Sequence, residues 1–318
     1  MIESSTPVSF TVVPIHQLSL AAGTVIPFGK FTIQGVPKWL LKDSILEDLS
    51  KRDRDSVHQA THVLVSEYNA SSWGHPYPEW TGTEPKGIQE HRWQSALLAN
   101  MCMWMVMPSP VHITVGFAAL TVIERRQYDP PVTNGFHRET RLYCHHRDVD
   151  NRPTIEELEK AAKLFTTLST VPRKNAVWPA LRAFWAALTS FPGDLRYPLF
   201  WQGLESLFGS ETDMYRVSKR LRNRISYFLA ENHKTQQELH DKVEACYAER
   251  SNIVHGRWED SQAFHDVHVY TTECIVRTVV RGIADRPGML GAFLSPKRDA
   301  FLEAWVRSKR FTPPPLPS

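Results

Sequence analysis

A chain of 318 residues, 42% hydrophobic and 22% charged, has room for two folded domains and is neither a disordered nor a collagen-like polymer. Its formal charge of +3 is too small to mark a nucleic-acid binder by composition, so such a role depends on where the cations cluster. Four cysteines, Cys102, Cys144, Cys246 and Cys274, lie far apart without a CxxC pair, which argues against a disulfide framework or a cysteine zinc site and points to reduced thiols in the cytoplasm.

The opening MIESSTPVSF lacks the basic and then apolar pattern of a secretory signal. Runs rich in β-branched and aromatic residues predict strands at 8–15, 31–36, 61–67, 111–123 and 139–144. Helical patterns interrupt them at 39–51 and 88–106, and the Pro-, Gly- and Trp-rich stretch 72–87 is expected as a long loop. Residues 1–172 therefore read as an α+β domain. Within it, residues 93–123 hold no Asp, Glu, Lys or Arg. Pro108 and Pro110 split this stretch into pieces of about a dozen residues, short of the roughly 20 that span a bilayer, so it is expected as buried core with no membrane contact.

After Asp150 the strand signal fades. Pro153, Thr154 and the acidic first turn of TIEELEKAAKLFTTL form a helix N-terminus, and Pro172 closes that helix. Further helices are expected at 180–190, 197–208, 212–230, 235–254 and 262–283. In the helix at 212–230, Val217, Leu221, Ile225 and Phe228 make an apolar stripe beside a basic one of Arg216, Arg220 and Arg224, with Lys219 and Arg222 adding charge. The next helix aligns Leu239, Val243, Cys246 and Arg250. A last helix at 297–306 precedes the Pro-rich TPPPLPS, expected to be disordered.

Arg250 is followed five residues later by His255 in RSNIVHG. With 14 histidines in 318 residues, an Arg-x4-His match is expected about once by chance. A second one occurs at Arg141–His146, and the looser spacing fits Arg52–His58 and Arg138–His145. Context separates them, because only Arg250 ends an amphipathic helix and only His255 precedes a glycine. That match follows PLFWQGLESLFG with Glu205 and SETDMYRVSKRL with Glu211, Arg216 and Arg220.

This ordered set, from about Ala180 to Arg286, resembles an ApeA-like HEPN domain, whose signature is Rx4-6H. The resemblance implies an all-α HEPN helical bundle at 173–290, followed by a C-terminal helix and tail at 291–318. It also implies a metal-independent endoribonuclease without cofactors, with Arg250 and His255 catalytic and Glu205, Ser251 and Asn252 in support. Its partners would be RNA, a second copy of the chain across a composite groove, and a phage-derived or protein trigger at the first domain, as in anti-phage defence. The rival expectation is a non-catalytic HEPN module that dimerises and binds RNA or protein. One departure from the family pattern is Gly203 inside the helix that carries Glu205.

The residue types suit the chemistry. RNA supplies its own nucleophile in the 2′-OH, so the protein needs a proton acceptor, a proton donor and a cation for the phosphorane charge. Histidine titrates near neutrality and arginine offers a permanently charged fork that matches phosphate oxygens. Residues five apart on a helix differ by about 140° in direction, so Arg250 and His255 need the helix to end between them and a shared cleft. Gly256 is placed to end it as a left-handed residue. Arg216, Arg220 and Arg224 are the candidates for the RNA backbone. Cys144, His145 and His146, and the pair His265 and His268, have ligand chemistry but no completing partner, so no metal site is expected. Trp73, Trp80, Trp93 and Trp104 are expected as core aromatics or a recognition surface.

Overall fold

The computed structural model describes residues 8–42, 46–47, 49–69, 86–109, 111–121, 132–140, 152–190, 193–210, 216–257, 262–286 and 288–310. The chain divides into two compact units, Met1–Ser169 and Thr170–Ser318. Expectations on Trp73, Trp80, Cys144, His145, His146, Glu211 and the TPPPLPS tail fall outside the described residues.

The first unit holds a six-stranded antiparallel sheet in the order β2-β3-β4-β1-β5-β6. Its strands are β1 (Val8–His16), β2 (Ile26–Phe28), β3 (Phe31–Gly35), β4 (His62–Asn69), β5 (His112–Thr121) and β6 (Val132–Thr140). Strand β1 pairs with β4 along its length, but its register with β5 shifts between Val12 and Ile15. That stretch contains Pro14, whose ring nitrogen cannot donate to a ladder. Residues 11–16 of β1 are all buried, which requires cover on both faces. On one face Val12 and Val63 join Leu40, Leu46 and Val57, the last from helix α1 (Lys51–Gln59). Phe28 and Phe31, at the β2–β3 hairpin, lie 5.7 Å from the ring of Phe165 in α3 (Ile155–Ser169). Gly29 makes that approach possible: φ is +62°, and a Cβ there would meet the Phe165 ring at 2.5 Å.

Helix α2 (Lys86–Val106) packs beside α3. From Ala99 to Met105 every residue is buried, so this turn is apolar all round because protein surrounds it. Trp93 and Trp104 are among its buried side chains, which places both in core rather than on a recognition surface. Among the described residues no helix is long and apolar enough to cross a membrane.

Two elements differ from expectation. Of the helix anticipated at 39–51, the described residues show a 3-10 turn at Lys38–Leu41 and a helical Leu46, residues 43–45 and 48 lie outside the described residues, and a separate helix begins at Lys51. Ser50 sets that start: its hydroxyl accepts from the Asp53 N–H and caps α1. The last strand runs Val132–Thr140, earlier than the 139–144 expected.

The regular elements among the described residues of the second unit are all helices: α4 (Val177–Thr189), α5 (Gly193–Phe208), α6 (Val217–Leu229), α7 (His233–Val254), α8 (Gln262–Asp285), α9 (Met289–Leu294) and α10 (Arg298–Arg310). Gly203 sits where α5 meets α4, and a Cβ there would lie 2.2 Å from the Phe184 ring, so this glycine lets the two helices pack closely. Phe208, Phe228 and Phe293 form a triangle with centroids 5.5 to 5.6 Å apart, which ties α5, α6 and α9 together. The segment after residue 290 is thus part of the bundle. Its α10 supplies Trp305, Lys309 and Glu303 to α6: the first two donate to the carbonyls of Tyr227 and Ala230, and Glu303 pairs with Arg224.

Candidate functional site

Helix α7 begins with a reciprocal cap. The Asn232 side chain accepts from the Thr235 N–H at 2.9 Å, and the Thr235 hydroxyl faces the Asn232 N–H at 3.2 Å. It ends in the motif that carries the Arg-x4-His signature. The Gly256 N–H donates to the Ile253 carbonyl at 3.1 Å and the Arg257 N–H to the Asn252 carbonyl at 2.9 Å. With Gly256 at φ +65°, this pair of bonds is a Schellman cap. His255 is the cap residue at φ −94°, its N–H bonded to the Ser251 carbonyl and its side chain exposed. Ser251 and Asn252 therefore serve the cap through their main-chain carbonyls.

One and a half turns earlier, Arg250 lies against α5. Its Nη2 is 3.3 Å from Glu205 Oε1, with 24% of the arginine side chain and 27% of the glutamate side chain exposed. The guanidinium carbon sits 5.6 Å from the centroid of the Tyr247 ring, one helical turn back. The Tyr247 hydroxyl donates to the same Glu205 Oε1 at 3.1 Å. Edge-on to that ring, at 5.2 Å, stands Trp201, fully buried and one turn before Glu205 on α5. Burial, and next the charge of Glu205, push the Tyr247 phenol up to about 12, so it stays a proton donor at neutral pH. Tyr197 pins the two helices further down, donating to the Cys246 carbonyl at 2.8 Å.

Of the expected site residues, Arg250 and Glu205 are brought together, and His255 follows at the end of the same helix. The basic stripe is not one face. Arg224 is 2% exposed and donates to the Phe208 and Gly209 carbonyls at 2.9 and 3.1 Å while pairing with Asp299 and Glu303. It is a structural cation rather than an RNA contact. Arg222 pairs with Glu244 of α7. Arg216 precedes α6 in a left-handed conformation, φ +56°, and is exposed, as is Lys219; Arg220 is half-buried.

No family model matches the chain, and neither a curated protein nor a solved structure does. The chemistry of the site is carried by its own residues.

Tyr247 and Trp201 belong to the site but carry no signature in the motif. A spacing signal existed: Trp201 and Glu205 are four apart and Tyr247 and Arg250 three apart, so each pair shares a helix face. Among the described residues no group of three or more His, Cys, Asp or Glu side chains gathers as a metal site. His268 is buried with Nδ1 3.5 Å from Cys246 Sγ, and burial raises that thiol's pKa, which keeps it a protonated core group. In the first unit, His16 stacks on His112 at 4.9 Å and lies 3.1 Å from the Ser56 hydroxyl. Burial, followed by the neighbouring His112, lowers His16 to about 4, so this serine and histidine form a neutral core pair with a weak base.

Proposed function

We propose that the second unit is a HEPN-type, metal-independent endoribonuclease working through Arg250 and His255. The observation that carries this reading is the end of α7. A half-exposed arginine, held from behind by Glu205, precedes a solvent-facing imidazole released from the helix by a glycine cap.

Arg250 spends one nitrogen on Glu205, and its Nη1 meets no acceptor among the described residues, leaving donors for phosphate oxygens. In cleavage, the 2′-oxygen loses its proton to an imidazole and bonds to the adjacent phosphorus. The bond to the 5′-oxygen breaks, and that oxygen takes a proton from an imidazolium. The products are a 2′,3′-cyclic phosphate and a 5′-hydroxyl. Two copies of the chain would bring two His255 side chains to one groove, one as base and one as acid, with both Arg250 side chains against the phosphorane charge. Arg216 and Lys219, both exposed, are the cations that would track the RNA backbone. By its resemblance, the chain would act as an anti-phage effector triggered through the first unit, and growth arrest on expression relieved by Arg250→Ala is the cellular counterpart.

A non-catalytic RNA- or protein-binding module is the second reading. It is favoured by one observation: among the described residues nothing hydrogen-bonds the His255 imidazole to fix its tautomer.

The deciding experiment incubates the purified full chain with single-stranded RNA in EDTA. Cleavage to cyclic-phosphate ends, blocked by 2′-deoxy substitution and by His255→Ala with RNA binding retained, supports the nuclease. Equal cleavage by wild type and His255→Ala overturns it, and binding without cleavage selects the module.

A further inference from the structure

Three side chains on α5 and α7 close a ring of contacts, and a fourth, Trp201, backs it. Trp201 meets Tyr247 edge to face at 5.2 Å, Tyr247 donates to Glu205 at 3.1 Å, Glu205 pairs with Arg250 at 3.3 Å, and Arg250 lies over the Tyr247 ring at 5.6 Å. Tyr247 is the one of the four that touches the other three. Its hydroxyl and the guanidinium share a single carboxylate oxygen, Oε1.

That sharing limits what Glu205 can do. A carboxylate free to turn takes an arginine by both oxygens in a fork-to-fork pair, which uses two of the guanidinium's nitrogens. Here the phenol holds the carboxylate so that it meets Arg250 through Nη2 alone, and Arg250 Nε is buried without an acceptor among the described residues. The ring beneath the guanidinium sets its plane, and Trp201, itself fully buried, sets the ring. A cation held in this way is anchored and still has open donors, which suits an oxygen-rich anion arriving from solvent.

We propose that Tyr247 is a positioning residue for Arg250: its hydroxyl keeps Glu205 from capturing the guanidinium, and its ring orients the guanidinium towards a phosphate. The inference rests on the nuclease reading for what the phosphate belongs to, but not for the geometry.

The test is a double-mutant cycle on the full chain, with Tyr247→Phe, Glu205→Gln and both together. Tyr247→Phe keeps the ring and the Trp201 contact, so its melting temperature is the check that the fold persists. Single-turnover cleavage of single-stranded RNA should fall about tenfold in rate, and RNA affinity several-fold, because a misdirected guanidinium serves both the bound phosphate and the phosphorane charge less well. In the Glu205→Gln background, where a neutral amide cannot capture Arg250 as an ion pair, Tyr247→Phe should have no further effect. Affinity for a fully 2′-deoxy oligonucleotide of the same sequence, which cannot be cleaved, is measured on the same four proteins.

Loss in the single variant and none in the double supports the proposal. A folded Tyr247→Phe protein as active as wild type overturns it, as do losses that multiply in the double variant. If the wild type binds but does not cleave, the nuclease reading falls by itself, and the cycle read in affinity decides Tyr247: several-fold weaker binding that vanishes in the Glu205→Gln background supports the proposal, and unchanged binding overturns it.

Discussion

Arg224 carries its charge inside the helical unit because α5 ends there. The last carbonyls of a helix have no partner within it, and Arg224 donates to two of them, Phe208 and Gly209, from a neighbouring helix. Asp299 and Glu303 then balance the cation. Removing one partner from a buried ionic network costs about 3 kcal/mol, whereas an exposed surface change costs within about 0.5 kcal/mol. Arg224→Met should therefore lower the urea midpoint of the full chain by about that larger amount, and Arg216→Ala should leave it unmoved. Equal midpoints for Arg224→Met and wild type would show that the network does not hold α5. The sequence shows three arginines at four-residue spacing but not their fate. Arg216 precedes α6, and the one helical step from Arg220 to Arg224 turns about 40°, from a half-buried position into the seam. Which side of the seam it enters depends on α10, some 80 residues later, and no local pattern reports that.

At the scale of the element, α5 is set by a glycine that helix propensity disfavours. Replacing Gly203 by alanine in an unpacked helix would stabilise it by about 1 kcal/mol. Here the new methyl would lie 2.2 Å from Phe184, and overpacking of this kind costs about 1–3 kcal/mol and shifts backbone. The clash wins because Phe184 is fully buried and has nowhere to turn. Gly203→Ala should thus destabilise the chain in urea, and Phe184→Leu added to it should recover part of the loss; a stabilised single variant would refute the packing. Since Glu205 lies two residues on, the same shift should reach the Arg250 pair. The end of α7 was legible, because a histidine followed by glycine after a helical pattern states the cap in local chemistry. The start of α1 is written locally in Ser50 and Asp53, which the helix expected at 39–51 ran past. Leu40 and Leu46 pack against Val12 and Val63 of the sheet. Strand β2, three residues long, is too short for any periodicity to show.

For the whole chain, the decisive contacts are those between distant segments. In the sequence, the runs rich in β-branched and aromatic residues mark strands of the first unit, because those side chains pack well on a pleated, buried surface. The order β2-β3-β4-β1-β5-β6 is not written there, since it depends on which edges meet. In the second unit the analogous fact is that α10 completes the bundle. Leu302 and Val306 are buried, and Trp305 lies 6.4 Å from Phe228 in the aromatic core. Glu303 and Asp299 hold Arg224, and Ser210 donates to Asp299 at 2.5 Å, fastening the region just beyond α5 as well. Deleting residues 298–318 would strip about 1.5–3 kcal/mol of apolar burial for each of Leu302 and Val306 and leave a buried arginine unpaired at about 3 kcal/mol. Together these approach the 5–15 kcal/mol that a domain has in total. The truncated chain should bind a hydrophobic dye and lose the cooperative urea transition of the second unit, with the Arg250–Glu205 pair lost alongside it. A truncated chain that unfolds at the wild-type midpoint would separate α10 from the bundle. If the truncated chain unfolds as expected, the helices that position Arg250 depend on a segment outside the 180–286 stretch that carries the HEPN resemblance.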